Sequence, residues 1–402
     1  MVEYTNVYSV INAMYNQVTG KTDIAAVDTS SFISVANTVL STGYDNFMNA
    51  LSQVLTRTIF AWRPYTEKFG IIEADAQRFG NHVRKISPLD DEAKEEVAYS
   101  LVDTGTVDPW TINKPKTVLF NYYDKKVWAR WITLPVTQID GAVRSESEFA
   151  QFIAMVTGNL RNQIAQDRES AKRLTFNNYI TAVYQDATQN PNGARERVIN
   201  LLAEYNRATG LSLTTTTVYK PENYMPFIQW TAARIMSVSD HLTERGYLYH
   251  KNLTNVKIPR FTPKKYQKFV LMSDAYNMIE SSAFSNTFHD RYVSGFGGFE
   301  AINFLQSDKD GYRDNISLSS FVTLNDTTGA VYTAPSGSYT LDGFFGAIFD
   351  RDAMLVTTVD ERMYSTPVNP RGLYTNLWYH YAFRYCNDLT ENCVVFVIQN
   401  AE

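Results

Sequence analysis

The chain has 402 residues, of which 14% are aromatic and 20% are charged. This composition excludes an intrinsically disordered chain, because such chains lack the apolar surface that offsets the entropy of ordering. The net charge of −5 argues against a coat that neutralises nucleic-acid phosphates, and two cysteines exclude a disulfide-stapled scaffold.

The first segment, residues 1–61, carries apolar residues at helical spacing that is interrupted at Gly20 and Gly43. This pattern predicts an N-terminal arm that lies on another surface rather than a self-sufficient domain. The N-terminus has an acid where a signal peptide would carry basic residues, and no window approaches a membrane span. We therefore expect a protein made in a reducing cytosol, in which Cys386 and Cys393 are reduced packing residues.

The second segment, residues 62–138, contains two runs of β-branched and aromatic residues that begin at Thr117 and Val127. Only a short polar break separates them, so the sequence predicts an extended β-hairpin loop. Trp131 lies on one face of the second strand and Trp128 on the other, and two strands alone are marginally stable in water. The hairpin must therefore pack against its own subunit or against a neighbour. Flanking lysines could indicate single-strand binding, although a charged, soluble hairpin tip explains them better.

A long helix is predicted over residues 139–189, with apolar residues recurring from Phe149 to Val183 and no proline before Pro191. Its opposite face carries polar residues such as Glu169 and Arg173, which predicts a strut with one buried and one solvent-facing side.

A mixed α/β body follows over residues 190–360. It is predicted to hold a helix from Ala194 to Thr209 closed by Gly210, a second helix that begins near Pro221, and several short strands. Asp350 to Asp352 is predicted to be a hairpin turn between the last two of these strands. The final segment, residues 361–402, ends on a continuously apolar strand that begins near Asn392.

A search for chemistry finds no catalytic, cofactor-binding or metal-binding motif. No pair of the five histidines has helical zinc-site spacing, and the glycines around Gly295 lack the lysine of a phosphate loop. His380 lies among aromatic residues, where a structural role is favoured over catalysis. The sequence therefore predicts a protein that is not an enzyme.

One block of residues carries a specific resemblance. Val368-Asn-Pro-Arg-Gly-Leu-Tyr-Thr-Asn376, Trp378-Tyr-His-Tyr381 and the final strand resemble the C-terminal part of major capsid proteins of tailed bacteriophages, in particular the small short-tailed picovirus type. Thr38 to Ser52 and Thr58 to Tyr65 resemble the N-terminal part of related proteins. The order of arm, hairpin, long helix, α/β body and returning strand is similar to theirs.

The resemblance implies the α+β Hong Kong 97-type fold, with an N-arm, an extended hairpin loop, a long spine helix, an axial subdomain and a peripheral subdomain to which the return segment belongs. It also implies a major capsid protein whose copies form pentamers and hexamers of an icosahedral shell around double-stranded DNA. The expected partners are further copies, a scaffolding protein and a portal during assembly, and packaged DNA bound only non-specifically. We expect no cofactor and no membrane contact, with assembly in the host bacterial cytoplasm and a final location in the virion. The immunoglobulin-like domain of some relatives is expected to be absent.

In such shells the arm and hairpin lie over neighbouring subunits, which gives the two-faced strand a surface on which to pack. The residues predicted to pack between subunits are Tyr122, Tyr123, Trp128, Trp131 and Phe47. Arg371 is equally compatible with a contact between subunits and with an anchor inside its own subunit. Two alternatives remain open at this point: an encapsulin-like compartment shell, and a cytosolic enzyme with an unrecognised site.

Overall fold

The structure is a computed structural model. It describes residues 7–23, 25–43, 45–50, 67–74, 83–89, 110, 112, 114, 116–122, 125–138, 146–189, 195–252, 258–274, 276–277, 298–302, 323–325, 331–333 and 343–400. Tyr123, one of the residues predicted to pack between subunits, lies outside these residues.

Five helices have defined bounds: α1 (Val7–Thr19), α2 (Thr29–Ser41), α3 (Glu146–Gln189), α4 (Leu201–Thr209) and α5 (Pro221–His241). The predicted long helix is confirmed as α3, whose 44 residues span roughly 66 Å at about 1.5 Å per residue. Gly210 caps α4 in the left-handed conformation, with a φ of +74° and its N–H donated to the Asn206 carbonyl, as the sequence predicts. The predicted start of that helix is wrong, because Val198–Asn200 forms a strand.

The strands are β1 (Val83–Pro88), β2 (Thr117–Tyr122), β3 (Lys125–Pro135), β4 (Val198–Asn200), β5 (Gln267–Met272), β6 (Gly298–Ile302), β7 (Thr323–Asn325), β8 (Val331–Thr333), β9 (Phe344–Asp350), β10 (Met354–Ser365), β11 (Tyr374–Asn387) and β12 (Cys393–Val397). They form a three-stranded sheet in the order β10-β11-β3 and a five-stranded sheet in the order β4-β12-β9-β5-β6. Two further pairs, β1-β2 and β7-β8, are two-stranded.

Both predicted hairpins are wrong. Strand β2 pairs with β1, whereas β3 joins the three-stranded sheet beside β11. Likewise β9 lies in the five-stranded sheet and β10 in the three-stranded one, so Asp350 to Asp352 connects two sheets. The short connections that suggested hairpins carry the chain from one sheet to the next.

The N-terminal helices pack on their own subunit. Val10, Phe32 and Phe47 are completely buried in a cluster that also contains Leu134 of β3 and Leu377 of β11. The predicted arm is therefore, over its described part, a helical layer that covers one end of the three-stranded sheet.

Helix α3 is enclosed on more sides than its pattern suggests. Lys172, only 3% exposed, pairs with Glu67 and, at 2.5 Å, with Glu73 of segment 67–74. Phe69 of that segment contacts Phe176 edge to face, with ring centroids 5.5 Å apart. Glu169, predicted to face solvent, is 3% exposed, so that prediction is wrong for this part of the helix.

The five-stranded sheet separates two cores. Phe396 of β12 faces the core built with α4 and α5, and Val395 faces the core built with α3. Burial on both faces explains why the final strand is apolar without alternation. Cys386 and Cys393 are buried and form no disulfide, which agrees with the packing role predicted for them. The return segment, residues 361–402, contributes the end of β10 and all of β11 to the three-stranded sheet and β12 to the five-stranded sheet.

Candidate inter-subunit surface

The two faces of the three-stranded sheet differ in what covers them. Along β3, Leu134 is 1% exposed, whereas Val127 and Trp131 are 60% and 59% exposed. Successive side chains of a strand point to opposite faces, so one face of β3 is turned to the protein interior and the other to solvent.

The inner face packs on α3. Trp128 lies edge to face against Tyr381 and Phe383, with ring centroids 5.9 and 5.2 Å apart. It packs against the same buried cluster as Leu160 and Ile164 of the helix. Trp128 therefore contributes to the subunit's own core.

A polar contact fixes the inner face to the helix at the same level. Asp167 of α3 accepts two hydrogen bonds from the Arg130 guanidinium, one of them 2.6 Å long, and a third from the Tyr381 hydroxyl. Burial first, and then the hydrogen bond to Asp167, raises the pKa of Tyr381, so the phenol stays protonated. This contact fixes β3 and β11 in register over the helix.

The outer face carries a row of aromatic residues across all three strands. Tyr364 of β10 is opposite Trp378 of β11, which is opposite Trp131 of β3. The two tryptophan rings stack with centroids 4.7 Å apart and an angle of 25° between their planes. Trp378 also stacks on His380, and Tyr364 contacts His380 edge to face. We call Tyr364, Trp378, His380 and Trp131 the aromatic face.

The aromatic face is open to solvent. Tyr364 is 53% exposed and Trp131 is 59% exposed, while Trp378 and His380 are half-buried. Aromatic side chains of this size each bury ~150–250 Å² when covered, at ~25 cal/mol per Å². Covering what Trp131 leaves exposed would therefore contribute about 2–4 kcal/mol.

The pair β1–β2, called here the ribbon, is docked on the subunit along one face. Val118 and Phe120 of β2 are buried against Ile258 and Cys386. The other face is open, with Ile86 62% exposed. Trp110 and Ile112, on the connection that leads into β2, are 84% and 80% exposed. The ribbon thus presents a second set of apolar side chains to solvent.

A cluster of charges, called here the ribbon clamp, holds the ribbon to the connection between β11 and β12. Lys85 of β1 pairs with Asp388 at 2.7 Å and also with Glu391. Arg260 pairs with Glu391 at 3.2 Å and donates a 2.8 Å hydrogen bond to the Ser87 hydroxyl. Two cations and two carboxylates therefore meet where the ribbon contacts the subunit.

Burial and the neighbouring charges together set the protonation states in the ribbon clamp. Burial lowers the pKa of Lys85, but the carboxylates of Asp388 and Glu391 outweigh it and raise that pKa to about 12. Burial, reinforced by the Asp388 charge, raises the pKa of Glu391 to about 7, whereas Lys85 and the Thr390 hydroxyl hold the pKa of Asp388 below its ordinary value in spite of its burial. Asp388 is therefore the permanent partner of Lys85, and Glu391 takes up a proton near neutral pH.

The loop that connects β10 and β11 contains the most specific sequence block. The Asn369 side-chain oxygen accepts hydrogen bonds of 3.0 Å from the backbone N–H groups of Arg371 and Gly372. A Cβ on Gly372 would lie 2.4 Å from the Tyr374 ring, so this position requires glycine. The Arg371 side chain is exposed and makes no ion pair with the residues described, so it does not act there as an intramolecular anchor.

The residues predicted to pack between subunits differ in how far they are exposed in the structure. Phe47 and Tyr122 are 0% and 3% exposed within the subunit, and Trp128 faces the inner core, so these three offer little surface to a neighbour. Tyr123 lies outside the described residues. Trp131 alone is widely exposed. Tyr364 and Trp378 were not predicted to pack between subunits, although the alternation Trp378-x-His380 places two rings on one face of a strand.

The described residues contain no group of three or more His, Cys, Asp or Glu side chains that could hold a metal ion. Burial lowers the pKa of His250, whose ring lies 3.0 Å from the Asn392 amide oxygen, so it is a neutral core histidine. In the same part of the chain, no helix has the length and hydropathy needed to span a bilayer.

The profile of the family described as Phi29-like phage major capsid protein matches residues 11–397. The chain belongs to this family. As a capsid protein it is a structural component of a virion whose copies assemble into a multimeric shell. This confirms the resemblance found in the sequence, and it does not favour the compartment-shell and enzyme alternatives.

Solved structures agree on the fold of the capsid protein. The capsid structure of Staphylococcus phage Andhra has a TM-score of 0.53 at 12% identity, over 85% of this chain and 86% of that one. A chain in the structure of the head fibre and inner core protein gp22 of bacteriophage P68 has a TM-score of 0.52 at 12% identity, over 85% and 87%. The predicted α+β tailed-phage capsid fold of the Hong Kong 97 type is confirmed. Among curated proteins, no relative matches the capsid protein.

Proposed function

We propose that copies of this capsid protein form pentamers and hexamers that close into an icosahedral head around double-stranded DNA. Such a shell requires each copy to make heterologous contacts that close into rings. Obligate interfaces bury thousands of Å² and are enriched in aromatic residues. The observation that carries the proposal is the aromatic face, where Trp131 and Tyr364 are more than half exposed in the isolated subunit.

The proposed cover of the aromatic face is the ribbon of a neighbouring copy. Trp110 and Ile112, which precede β2 in the sequence, expose more than three-quarters of their surface. One subunit thus offers an exposed apolar segment and an exposed aromatic surface. If the apolar segment of each copy packs on the aromatic face of the next, both surfaces are buried, and no second kind of protein is needed.

The remaining partners follow from the same proposal. A scaffolding protein and a portal take part in assembly in the host bacterial cytoplasm. Packaged DNA contacts the shell only non-specifically, because a chain with a net charge of −5 gains little from phosphate neutralisation.

The test is expression of the full chain with a matched scaffolding protein, followed by sedimentation and electron microscopy. We expect closed shells from the unaltered chain, and only monomers or amorphous aggregate would contradict the proposal. Trp131→Ser should lower the shell yield sharply while leaving the unfolding of the free subunit almost unchanged.

Two further variants make this experiment specific. Leu211→Ser alters an apolar residue that is 45% exposed but lies away from the aromatic face, so it should leave the shell yield unchanged. Trp128→Ala, on the same strand as Trp131, should instead destabilise the subunit itself by about 3 kcal/mol, because it removes packing against α3. Equal effects of the two tryptophan substitutions on subunit stability would contradict the assignment of faces.

A further inference from the structure

The loop between β10 and β11 is rigid because hydrogen bonds fix it at several points. The Asn369 N–H donates to the Tyr374 carbonyl at 2.9 Å, and the Leu373 N–H donates to the Asn369 carbonyl at 2.8 Å. The Leu373 carbonyl in turn accepts a 2.9 Å bond from the N–H of Val136, just after β3. With the Asn369 side-chain bonds to Arg371 and Gly372, nearly every position of the turn is specified.

Leu373 occupies a strained position in this loop. Its φ is +49°, and it is the one non-glycine residue with positive φ in the part of the chain that the structure describes. Left-handed backbone is costly for a residue with a Cβ, and glycine, asparagine and aspartate adopt it most readily. An asparagine could make the same main-chain hydrogen bonds with less strain.

The leucine side chain is not used inside the subunit. Leu373 is 57% exposed, and the neighbouring Arg371 and Gly372 are exposed as well. Strain held at an exposed position points to a function, and Leu373 belongs to none of the buried apolar clusters found among the described residues. What leucine supplies here, and asparagine would not, is an apolar side chain held in a fixed direction.

We propose that Leu373 is an anchor residue at a contact between subunits, and that it inserts into an apolar pocket on a second copy of the chain with Arg371 facing a carboxylate beside it. The inference rests on the proposed shell function and adds a specific contact to it. The rigidity of the loop favours binding, because a loop that is already ordered loses little conformational entropy when the contact forms.

A second copy is the occupant that the observations favour. The protein belongs to a family whose members form shells, so further copies surround each subunit. The chain carries 42 acidic against 37 basic residues, so another copy offers more carboxylates than cations to Arg371. The loop also continues the solvent-facing surface of the three-stranded sheet. Thr133 and Asn376 lie between the loop and the aromatic face, and the Thr133 hydroxyl donates a 2.7 Å hydrogen bond to the Asn376 side-chain oxygen.

The decisive variant is Leu373→Asn, because its two expected effects have opposite signs. Relief of backbone strain should raise the folding equilibrium constant of the unassembled chain about fivefold, measured by urea unfolding at low protein concentration. Loss of the anchor should lower the yield of closed shells at least tenfold, measured by sedimentation and electron microscopy.

Matched variants separate the anchor from a general effect of losing a leucine. Leu248→Asn alters a residue with the same 57% exposure at a different site, and its shell yield should stay within twofold of the unaltered chain. Leu373→Met keeps an apolar side chain and should retain assembly. Arg371→Glu should lower the yield, and an unchanged yield would overturn the carboxylate contact.

The outcomes distinguish this inference from the proposed function. If the unaltered chain forms shells and Leu373→Asn forms them equally well, the anchor is wrong and the shell function stands. A Leu373→Asn subunit less stable than the unaltered one would also overturn the inference, since leucine would then have a role inside the subunit. If the unaltered chain forms no shells, the proposed function itself fails.

Discussion

Trp128 and Trp131 lie three residues apart on β3, and an odd separation along a strand places them on opposite faces. The sequence therefore predicts their opposition correctly. It could not predict which face is the inner one, because that depends on Tyr381 and Phe383, about 250 residues later in the chain. The resemblance placed Phe47 and Tyr122 at contacts between subunits, but both residues are covered by their own subunit.

Glu391 gives the free subunit a specific pH dependence. Its pKa of about 7 in the folded state lies above the ordinary value of 4.5, so between these pH values the folded state binds a proton that the unfolded state does not. The free energy of unfolding should therefore rise as the pH falls from about 7 to about 4.5, by up to about 3 kcal/mol. Above pH 7 this contribution is absent.

Glu391→Gln isolates that effect, since glutamine has nearly the same shape and does not titrate. Urea unfolding of the unassembled chain and the variant, at a series of pH values, gives the difference between their free energies. The unaltered chain should gain stability relative to the variant as the pH falls through this range. A difference independent of pH would show that Glu391 is not the titrating group.

At the scale of elements, local patterns predict individual helices and strands well and their pairing poorly. Helix α3 and the left-handed cap at Gly210 follow from spacing and glycine chemistry within a few residues. The pairing of β3 with β11 joins residues about 250 positions apart, and no local signal encodes it. The polar face of α3 was misread for the same reason, because segment 67–74 covers it with matching charges.

The ribbon should depend on its clamp. Lys85→Met leaves Asp388 and Glu391 with Arg260 as their remaining cationic partner in the clamp, and breaking a buried ion pair from one side costs about 3–5 kcal/mol. Hydrogen exchange of the backbone amides in β1 and β2 should become at least about a hundredfold faster, while exchange in α3 stays unchanged.

The matched control for the clamp is Arg84→Met. Arg84 is the exposed neighbour of Lys85 on the open face of the ribbon and is not part of the clamp, so its loss should accelerate exchange in β1 and β2 far less than the loss of Lys85 does. Equal exchange in the Lys85 and Arg84 variants would mean that apolar packing of Val118 and Phe120 alone holds the ribbon.

At the scale of the whole molecule, the chain combines a well-packed interior with apolar surface that its own fold leaves open. The N-terminal helices, the three-stranded sheet and α3 share one set of cores, and the five-stranded sheet separates two more. The open apolar surface includes the aromatic face, the ribbon connection and the Leu373 loop, and further exposed apolar side chains such as Leu211 and Leu248 lie elsewhere. The chain belongs to a family of capsid proteins, and neighbouring copies in a shell can cover such surfaces.

The central claim, that copies of the capsid protein cover the aromatic face, is tested most directly by hydroxyl-radical footprinting of free subunits and assembled shells. Oxidation of Trp131 and Tyr364 should be fast in the free subunit, where both are more than half exposed, and at least several-fold slower in the shell. Buried Phe269 serves as the internal reference and should react slowly in both states. Equal oxidation rates of Trp131 and Tyr364 in free subunits and closed shells would contradict the account.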